Sequence, residues 1–403
     1  MIPLFQSLVE MVWKTLTDQP SPKAAFLSHL PEAWQPVVSA LLSVLPIIAV
    51  FPMLFALTTV LERKGLGRIQ NRLGPNRVGP AGFLQFAADG VKAIIKEDVV
   101  PRAADRVVHF LAPLMLVVPV LLTYSVLPLG RNLVPIDLDG GVLFFFSVGA
   151  MTELAVFMAG WSSRNKYSLL GATRAIAQMI SYEIPLILSA LTVVMVAGTL
   201  SLPGIVDAQA AHPGEWFARW HLFTPWGFAG FLLFLVAACA EANRSPFDLP
   251  EGESEIIAGY YLEYSGFKFA LFFLGEYLGL FAASGLGITL FLGGWHAPFP
   301  FLEAWIPGWI WFLGKLLILI FLFIWVRGTL PRVRMDQLMN FAWKFMLPLT
   351  LVNMVGAGFW HFISNPLARW LVPAVLVAGA YVILGRALLP SKRVGPRTYR
   401  YAN

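Results

Sequence analysis

Five ionisable residues stand inside otherwise apolar runs: Glu153, Glu183, Glu276, Lys315 and Lys344. A charge at the centre of a bilayer costs about 2.5–3.5 kcal/mol on insertion scales, so an intramembrane carboxyl reads first as an ion site or a step in a proton relay. Glu183 stands eight residues into its run and Glu276 seven into its own, too far for either to be a span-end residue. Lys315, also deep, is expected to be a counter-ion that keeps one of these acids ionised. Lys344 stands near the end of its run, where a lysine reaches the headgroups. A second group of acids crowds one stretch, AEANRSPFDLPEGESEIIAGYYLEYSGFKFA, with Glu241, Asp248, Glu251, Glu253, Glu255 and Glu263 against only Arg244 and Lys268. Acids this close raise one another's proton affinity. The stretch reads as a proton-loading site or as a solvated loop drawing in basic neighbours. Its aromatics Phe247, Tyr260, Tyr261 and Tyr264 favour an ordered, partly apolar setting.

The elements that carry these residues follow from composition. Of 403 residues, 58% are hydrophobic and 13% charged, and mean hydropathy is +0.70. Soluble domains carry about 25% charge, so this chain has too little polar surface for a water-soluble globule. That excludes a soluble enzyme, a disordered chain and a nucleic-acid binder. A transmembrane helix needs roughly 20 apolar residues. Nine runs qualify: Val37–Leu61, Val107–Leu129, Val142–Trp161, Ala175–Leu200, Leu222–Ala240, Phe269–Gly294, Trp305–Val326, Phe341–Ile363 and Trp370–Leu389. Pro46, Pro52, Pro119, Pro185 and Pro348 predict kinks. The fold class is therefore an all-α polytopic membrane protein.

Most of the 29 basic residues fall on one side of this map. Arg63 to Arg106, Arg164, Lys166, Arg174, Arg244, Lys268, Arg327 to Lys344 and the tail from Arg386 to Arg400 all share it. The positive-inside rule makes that side cytoplasmic, with the N-terminus outside and the C-terminus inside. The first 36 residues lack the pattern of a secretory signal and predict an amphipathic surface helix, Met1–Leu16, followed by a linker. Residues 37–389 form one transmembrane domain, and 390–403 a basic tail. The long loop Glu62–Arg106 turns at Gly74-Pro75 and Gly79-Pro80. A helix then sets Gln85, Asp89, Lys92 and Lys96 in one polar stripe. It reads as a basic loop on anionic lipid or as the lip of a cavity.

Other chemistry is missing from the sequence. One cysteine, Cys239, and six scattered histidines supply no metal or haem pattern. No Walker loop, dinucleotide fingerprint or nucleophile elbow occurs. The residues alone lead to buried acids connected toward an acidic loop, an arrangement suited to moving protons.

Two long stretches then point to a family. ERKGLGRIQNRLGPNRVGPAGFLQFAADGVKAIIKED and AEANRSPFDLPEGESEIIAGYYLEYSGFKFALFFLGEY resemble the signature loops of the H subunit of bacterial NADH–quinone oxidoreductase, respiratory complex I, whose mitochondrial counterpart is subunit 1. GWSSRNKYSLLGATRAIAQMISYEIP and WVRGTLPRVRMDQLMNFAWKFMLPL match it as well. The resemblance runs from about Val37 to about Leu351. Met1–Pro36 departs from it, and the segment Ser201–His221 and the last span with its basic tail are little constrained by it.

The resemblance implies a subunit at the junction of the membrane and peripheral arms, forming the entrance and part of the wall of a quinone chamber. Electrons would arrive from a partner's iron–sulfur cluster, with no flavin, metal or redox centre in this chain. Its substrate would be ubiquinone or menaquinone. Its partners would be the peripheral iron–sulfur and quinone-chamber subunits and neighbouring membrane subunits, in the bacterial inner membrane. Carried over by motif, Arg63, Arg72 and Asp89 fall near the entrance and chamber, and Glu241, Arg244 and Asp248 on its floor. Glu251, Glu253, Glu255 and Glu263 fall in the acidic loop beneath the quinone, and Glu183 and Glu276 among the buried carboxyls beyond it. Glu153 and Lys315 join the expected proton pathway from their place within spans. Two other readings stay open: the related membrane subunit of a membrane-bound hydrogenase or dehydrogenase, and a stand-alone proton-coupled transporter.

Overall fold

The structure is a computed structural model. It describes residues 26–388 except 28, 32–33, 132, 212–215, 250–256 and 304, together with Met11 and Lys14. The expected surface helix Met1–Leu16, the basic tail 390–403, and Glu251, Glu253 and Glu255 therefore lie outside the described residues, apart from Met11 and Lys14.

The described chain is helical throughout, as the hydropathy predicts. In order it forms α1 (Gln35–Ile69), α2 (Gln85–Ile95), α3 (Arg106–Thr123), α4 (Gly141–Gly149), α5 (Met151–Ser162), α6 (Lys166–Ala197) and α7 (Leu202–Asp207). Then follow α8 (Pro225–Glu241), α9 (Gly266–Phe291), α10 (Pro300–Glu303), α11 (Gly308–Thr329), α12 (Met335–Phe341), α13 (Leu347–Phe362) and α14 (Pro366–Leu388). Among the described residues, eight helical segments are long and apolar enough to cross a membrane. The ninth expected span is α8, with 17 residues.

Local chemistry sets the ends. Asp105 caps α3 by accepting from the amides of Val107 and Val108 at 3.1 and 3.3 Å. Asn165 caps α6 through Tyr167 N at 3.0 Å, and Gly198 ends it in the left-handed region at φ 71°. Thr224 caps α8, with Pro225 at its first turn. Such caps satisfy amides that lipid cannot.

Several boundaries differ from the hydropathy reading. The first span does not stop at Leu61 but continues to Ile69. Glu62, Arg63, Lys64 and Arg68 are therefore helical rather than loop residues. No proline or turn pair interrupts ERKGLGRI, so backbone hydrogen bonding carries the helix on past the apolar run. The fourth span begins at Lys166 rather than Ala175, and the second ends at Thr123 rather than Leu129. The third breaks at Ala150, where no proline stands. Helices run through Pro46, Pro52, Pro119 and Pro185. Pro348 instead opens α13, directly after a single π turn at Ala342–Met346 that carries Lys344.

One core fills the bundle. Trp226, Phe234, Phe281, Phe291, Tyr124, Tyr182 and Leu186 are buried at its centre. Helices α6, α8 and α9 hold the middle, with α3 and α5 on one side and α11 and α13 around them. By contrast, α1 packs mainly along α9, α11 and α2, and α14 mainly along α13. Both leave long apolar faces exposed, including Leu41, Leu45, Val50, Val375 and Ile383, as a lipid-facing helix does.

Candidate functional site: a buried charged cluster and a chain of acids

The extension of α1 brings a carboxylate into the bundle. Glu62 is 6% exposed. It accepts from Tyr277 Oη of α9 at 2.5 Å and from Arg327 Nη1 of α11. Arg244, in the turn after α8, places Nη1 3.8 Å from the same carboxylate. Its guanidinium lies over the Tyr277 ring, 3.7 Å from the centroid. Burial works against the Arg244 charge, but Tyr277, Glu62 and Glu276 more than compensate and raise its pKa, so it stays a cation. Two guanidiniums thus surround one carboxylate beside a cavity of about 10 Å³ also lined by Thr58, Leu280 and Phe323. Among the described residues, Arg244 Nε and Nη2 are buried without a hydrogen-bond partner. Unmade donors on a buried charge are costly, and they suit an electron-rich or anionic group arriving from outside the chain.

The turn that presents Arg244 is held from α6. Gln178 Nε2 donates to the carbonyls of Ala240 and Phe247, both at 2.7 Å, and contacts Asn243 Oδ1 at 3.2 Å. Asp248 follows at once and is partly buried.

Beyond this cluster the acids gather. Glu153 of α5 and Glu183 of α6 share a hydrogen bond, and Glu241, at the end of α8, lies within electrostatic reach of both. Glu241 and Glu276 line one cavity of about 70 Å³, together with Thr123, Thr152, Asn243 and Tyr260. This volume takes several waters, and its polar groups would hold them. Tyr260 Oη donates to Glu276 at 2.8 Å. Tyr260 belongs to the described end of the acidic loop, which sits on Gly171 of α6. A Cβ there would lie 2.7 Å from Gly259 Cα and C. Gly171→Ala is therefore expected to cost about 1–3 kcal/mol by overpacking. A thermal transition in detergent equal to that of the parent would show that the loop accommodates the methyl group.

The entrance residues form a separate, outer group. Arg63 Nη1 pairs with Asp89 Oδ2 at 2.6 Å, Gln85 donates to Oδ1 at 2.9 Å, and Lys92 lies at 3.6 Å. The expected polar stripe thus interacts through Gln85, Asp89 and Lys92, while Lys96 falls just past the end of α2. Partial burial pushes the Asp89 carboxyl up, but the Gln85 and Arg63 hydrogen bonds and the two cations outweigh it and hold it below the usual carboxylate range. Lys64 ties α1 to the turn before α2 by donating to Ala81 O and lying 4.1 Å from the Phe83 ring.

Three expected residues fall elsewhere. Arg72 is exposed and donates to Gln70 Oε1 at 2.7 Å rather than to Asp89. Glu263 accepts from Asn165 Nδ2 at 2.6 Å at the α5–α6 turn, not at the acid cavity. The neighbouring Tyr264 stacks on His109 at 3.9 Å, and burial pushes its phenol up to about 12. Lys315 is not the counter-ion of Glu183 or Glu276. Its ammonium donates to the carbonyls of Leu292, Gly294 and His296 near the opposite end of the bundle. Depth along a span does not specify which face a side chain takes, and backbone carbonyls at the end of α9 claimed this one.

Glu62, Tyr277 and Arg327 are site residues that residue order does not reveal. In the sequence Glu62 looks like a loop boundary and Arg327 like a topology-setting cation. The available signal was the unbroken helical stretch through ERKGLGRI.

The NADH dehydrogenase family model matches residues 42–358. A relative from Dehalococcoides mccartyi strain CBDB1, named as the H subunit of NADH-quinone oxidoreductase, is 48% identical over 82% of this chain and 89% of its own length. Relatives of the same name from Geobacillus kaustophilus and Paraburkholderia phymatum are 51% and 45% identical, over 73% and 84% of this chain and 85% and 95% of their own. Helices long enough to span a membrane, buried acids among them and this agreement along most of the chain lead to one assignment: the chain belongs to the family of NADH-quinone oxidoreductase H subunits and is a multi-pass membrane subunit of an NADH:quinone oxidoreductase.

Proposed function

We propose that this subunit forms the membrane-side entrance and part of the wall of the quinone chamber, and that it couples quinone reduction to proton translocation. The observation that carries this reading is the buried cluster of Glu62, Arg244, Arg327 and Tyr277, with two Arg244 donors left for a ligand. An excess of positive charge with directed N–H groups suits a quinone headgroup, whose carbonyl oxygens accept hydrogen bonds and gain negative charge on reduction. Arg63 and Asp89, on the exposed edge between α1 and α2, suit the entrance. The basic end of the bundle then faces the cytoplasm, with the N-terminus outside, in a bacterial inner membrane. Peripheral iron–sulfur subunits supply electrons there and complete the chamber.

Reduction of a quinone to a quinol takes up two electrons and two protons. Negative charge arriving beside Arg244 competes with Glu62 for the guanidiniums. The weakened hold on Glu62 and its Tyr277 hydrogen bond changes the field along α9, where Glu276 is the residue before Tyr277. Protons then redistribute among Glu276, Glu241 and the Glu153–Glu183 pair, through waters in the cavity between Glu241 and Glu276. Neighbouring membrane subunits receive the change. Glu251, Glu253 and Glu255 join this reading as the proton-loading part of the loop, and Asp248 and Glu263 as its borders.

A photoreactive short-chain quinone tests the chamber in the intact complex. It is expected to label peptides around residues 58–64 or 241–248, with excess unlabelled quinone competing. Labelling confined to other subunits sinks the proposal.

A further inference from the structure

Lys315 is buried and unused by the mechanism above. Its Nζ donates at 2.6, 2.8 and 2.7 Å to the carbonyls of Leu292, Gly294 and His296, and lies 4.1 Å from the centroid of the Trp220 ring. An ammonium has three N–H groups, and here three carbonyl oxygens take them all. The three acceptors come from alternate residues directly after α9, where a helix presents unpaired carbonyls and partial negative charge. The backbone is bent to aim them. Gly293 and Gly294 both adopt the left-handed region, at φ 68° and 52°, and a Cβ at either would strike Trp220 or Val206. The fully buried Gln209 fixes the bend from outside, accepting from Gly293 N at 3.1 Å and donating to Thr289 O at 2.8 Å. The carbonyl cage is thus a built feature of the fold.

The cage joins two helices that meet again at the charged cluster. Lys315 and Arg327 stand twelve residues apart on α11, about 18 Å along the axis. Leu292 and Tyr277 stand fifteen residues apart at and along α9, about 22 Å. The helices run antiparallel, joined by residues 292–307. At one end Lys315 ties α11 to the end of α9, and at the other Arg327 of α11 and Tyr277 of α9 share Glu62. One tie leaves a packed antiparallel pair free to pivot about it, whereas a tie at each end fixes both register and crossing.

We propose that Lys315 is a positioning residue, an internal cation that sets the register of α11 against α9 and so holds Arg327 and Tyr277 together on Glu62. The functional consequence rests on the quinone-site reading above. A misplacement of about 1 Å far from the chemistry can cost about 100-fold in rate.

The test uses the assembled complex in membranes. Lys315→Ala is expected to lower NADH:quinone reduction at least about tenfold, with NADH oxidation by ferricyanide unchanged. Propylammonium, which replaces the deleted atoms and donates three N–H groups, is expected to restore the rate. Tetramethylammonium, a cation without donors, is expected not to. A parental rate in Lys315→Ala, or a loss that propylammonium does not recover, overturns the proposal. Should the alanine variant not assemble, Lys315→Arg carries the test. It keeps the charge, but replaces the compact three-donor ammonium with a larger planar fork whose donors do not converge on one point. Its quinone reduction is expected to fall severalfold, and a parental rate overturns the proposal equally. Hydrogen exchange separates this idea from the site reading. Exchange across residues 292–303 is expected to rise in Lys315→Ala and fall back with propylammonium, whether or not Glu62 serves quinone chemistry. A normal quinone rate in Glu62→Gln sinks the site reading alone.

Discussion

Glu62→Gln is expected to lower NADH:quinone reductase activity by about 100-fold while NADH oxidation by ferricyanide stays at the parental rate. Among the described residues, this carboxylate is the acid that pairs with both Arg327 and Arg244. Breaking a buried pair by removing one partner costs about 3–5 kcal/mol, chiefly because a charge is left buried and uncompensated. About 2.7 kcal/mol of misplaced binding energy already corresponds to 100-fold in rate. The amide keeps the size of the side chain and can still bond Tyr277 Oη, so packing along α1 and α9 is preserved. What it lacks is the charge that orients both guanidiniums. Pairing it with Arg327→Met gives a second reading of the same cluster. The double variant is expected to assemble better than Glu62→Gln alone, because the surplus cation is removed with its partner. Assembly can be followed by native gel and the rate with a short-chain quinone. A Glu62→Gln enzyme that reduces quinone normally would leave the cluster as a structural tie between α1, α9 and α11.

Glu183→Gln, alone or with Glu153→Gln, is the second large effect. It is expected to slow quinone reduction about tenfold or more and to abolish the proton gradient generated by what turnover remains. Removing a positioned proton donor or acceptor typically costs about 10²–10⁴-fold in the step it serves. The two carboxyls lie within hydrogen-bond reach of each other, and Glu241 lies within electrostatic reach of both. Three acids arranged in this way hold protons that a nearby charge can displace. Glutamine retains the hydrogen bond and the volume but cannot pass the proton on. Sealed vesicles with a pH-sensitive dye and an NADH absorbance trace read both quantities together. Normal pumping in the double glutamine variant would remove this pair from the proton path.

Much of this molecule could be read from residue order because hydropathy and capping act over the length of one helix. The apolar runs, the polar stripe Gln85–Asp89–Lys92 and the burial of Tyr260, Tyr261 and Tyr264 all depend on neighbours a few residues away. The intramembrane acids were legible for a related reason: a carboxyl in an apolar run is costly wherever it faces. Boundaries were less legible where helix propensity outlasted the apolar run, as after Leu61 and before Ala175.

The choice of partners is a different matter. By itself the sequence determined an all-helical membrane subunit, its family, and which acids stand within its spans. Only the tertiary structure decided that Glu62, rather than a residue of the acidic loop, meets Arg327 across 265 positions of chain. It also decided that Glu153 meets Glu183, and that Lys315 serves three carbonyls instead of either buried acid. Hydropathy reports how deep a side chain lies. Which group it touches depends on the rotation and register of helices far apart in sequence, and in lipid those are set by packing and by the last unpaired polar group on each face.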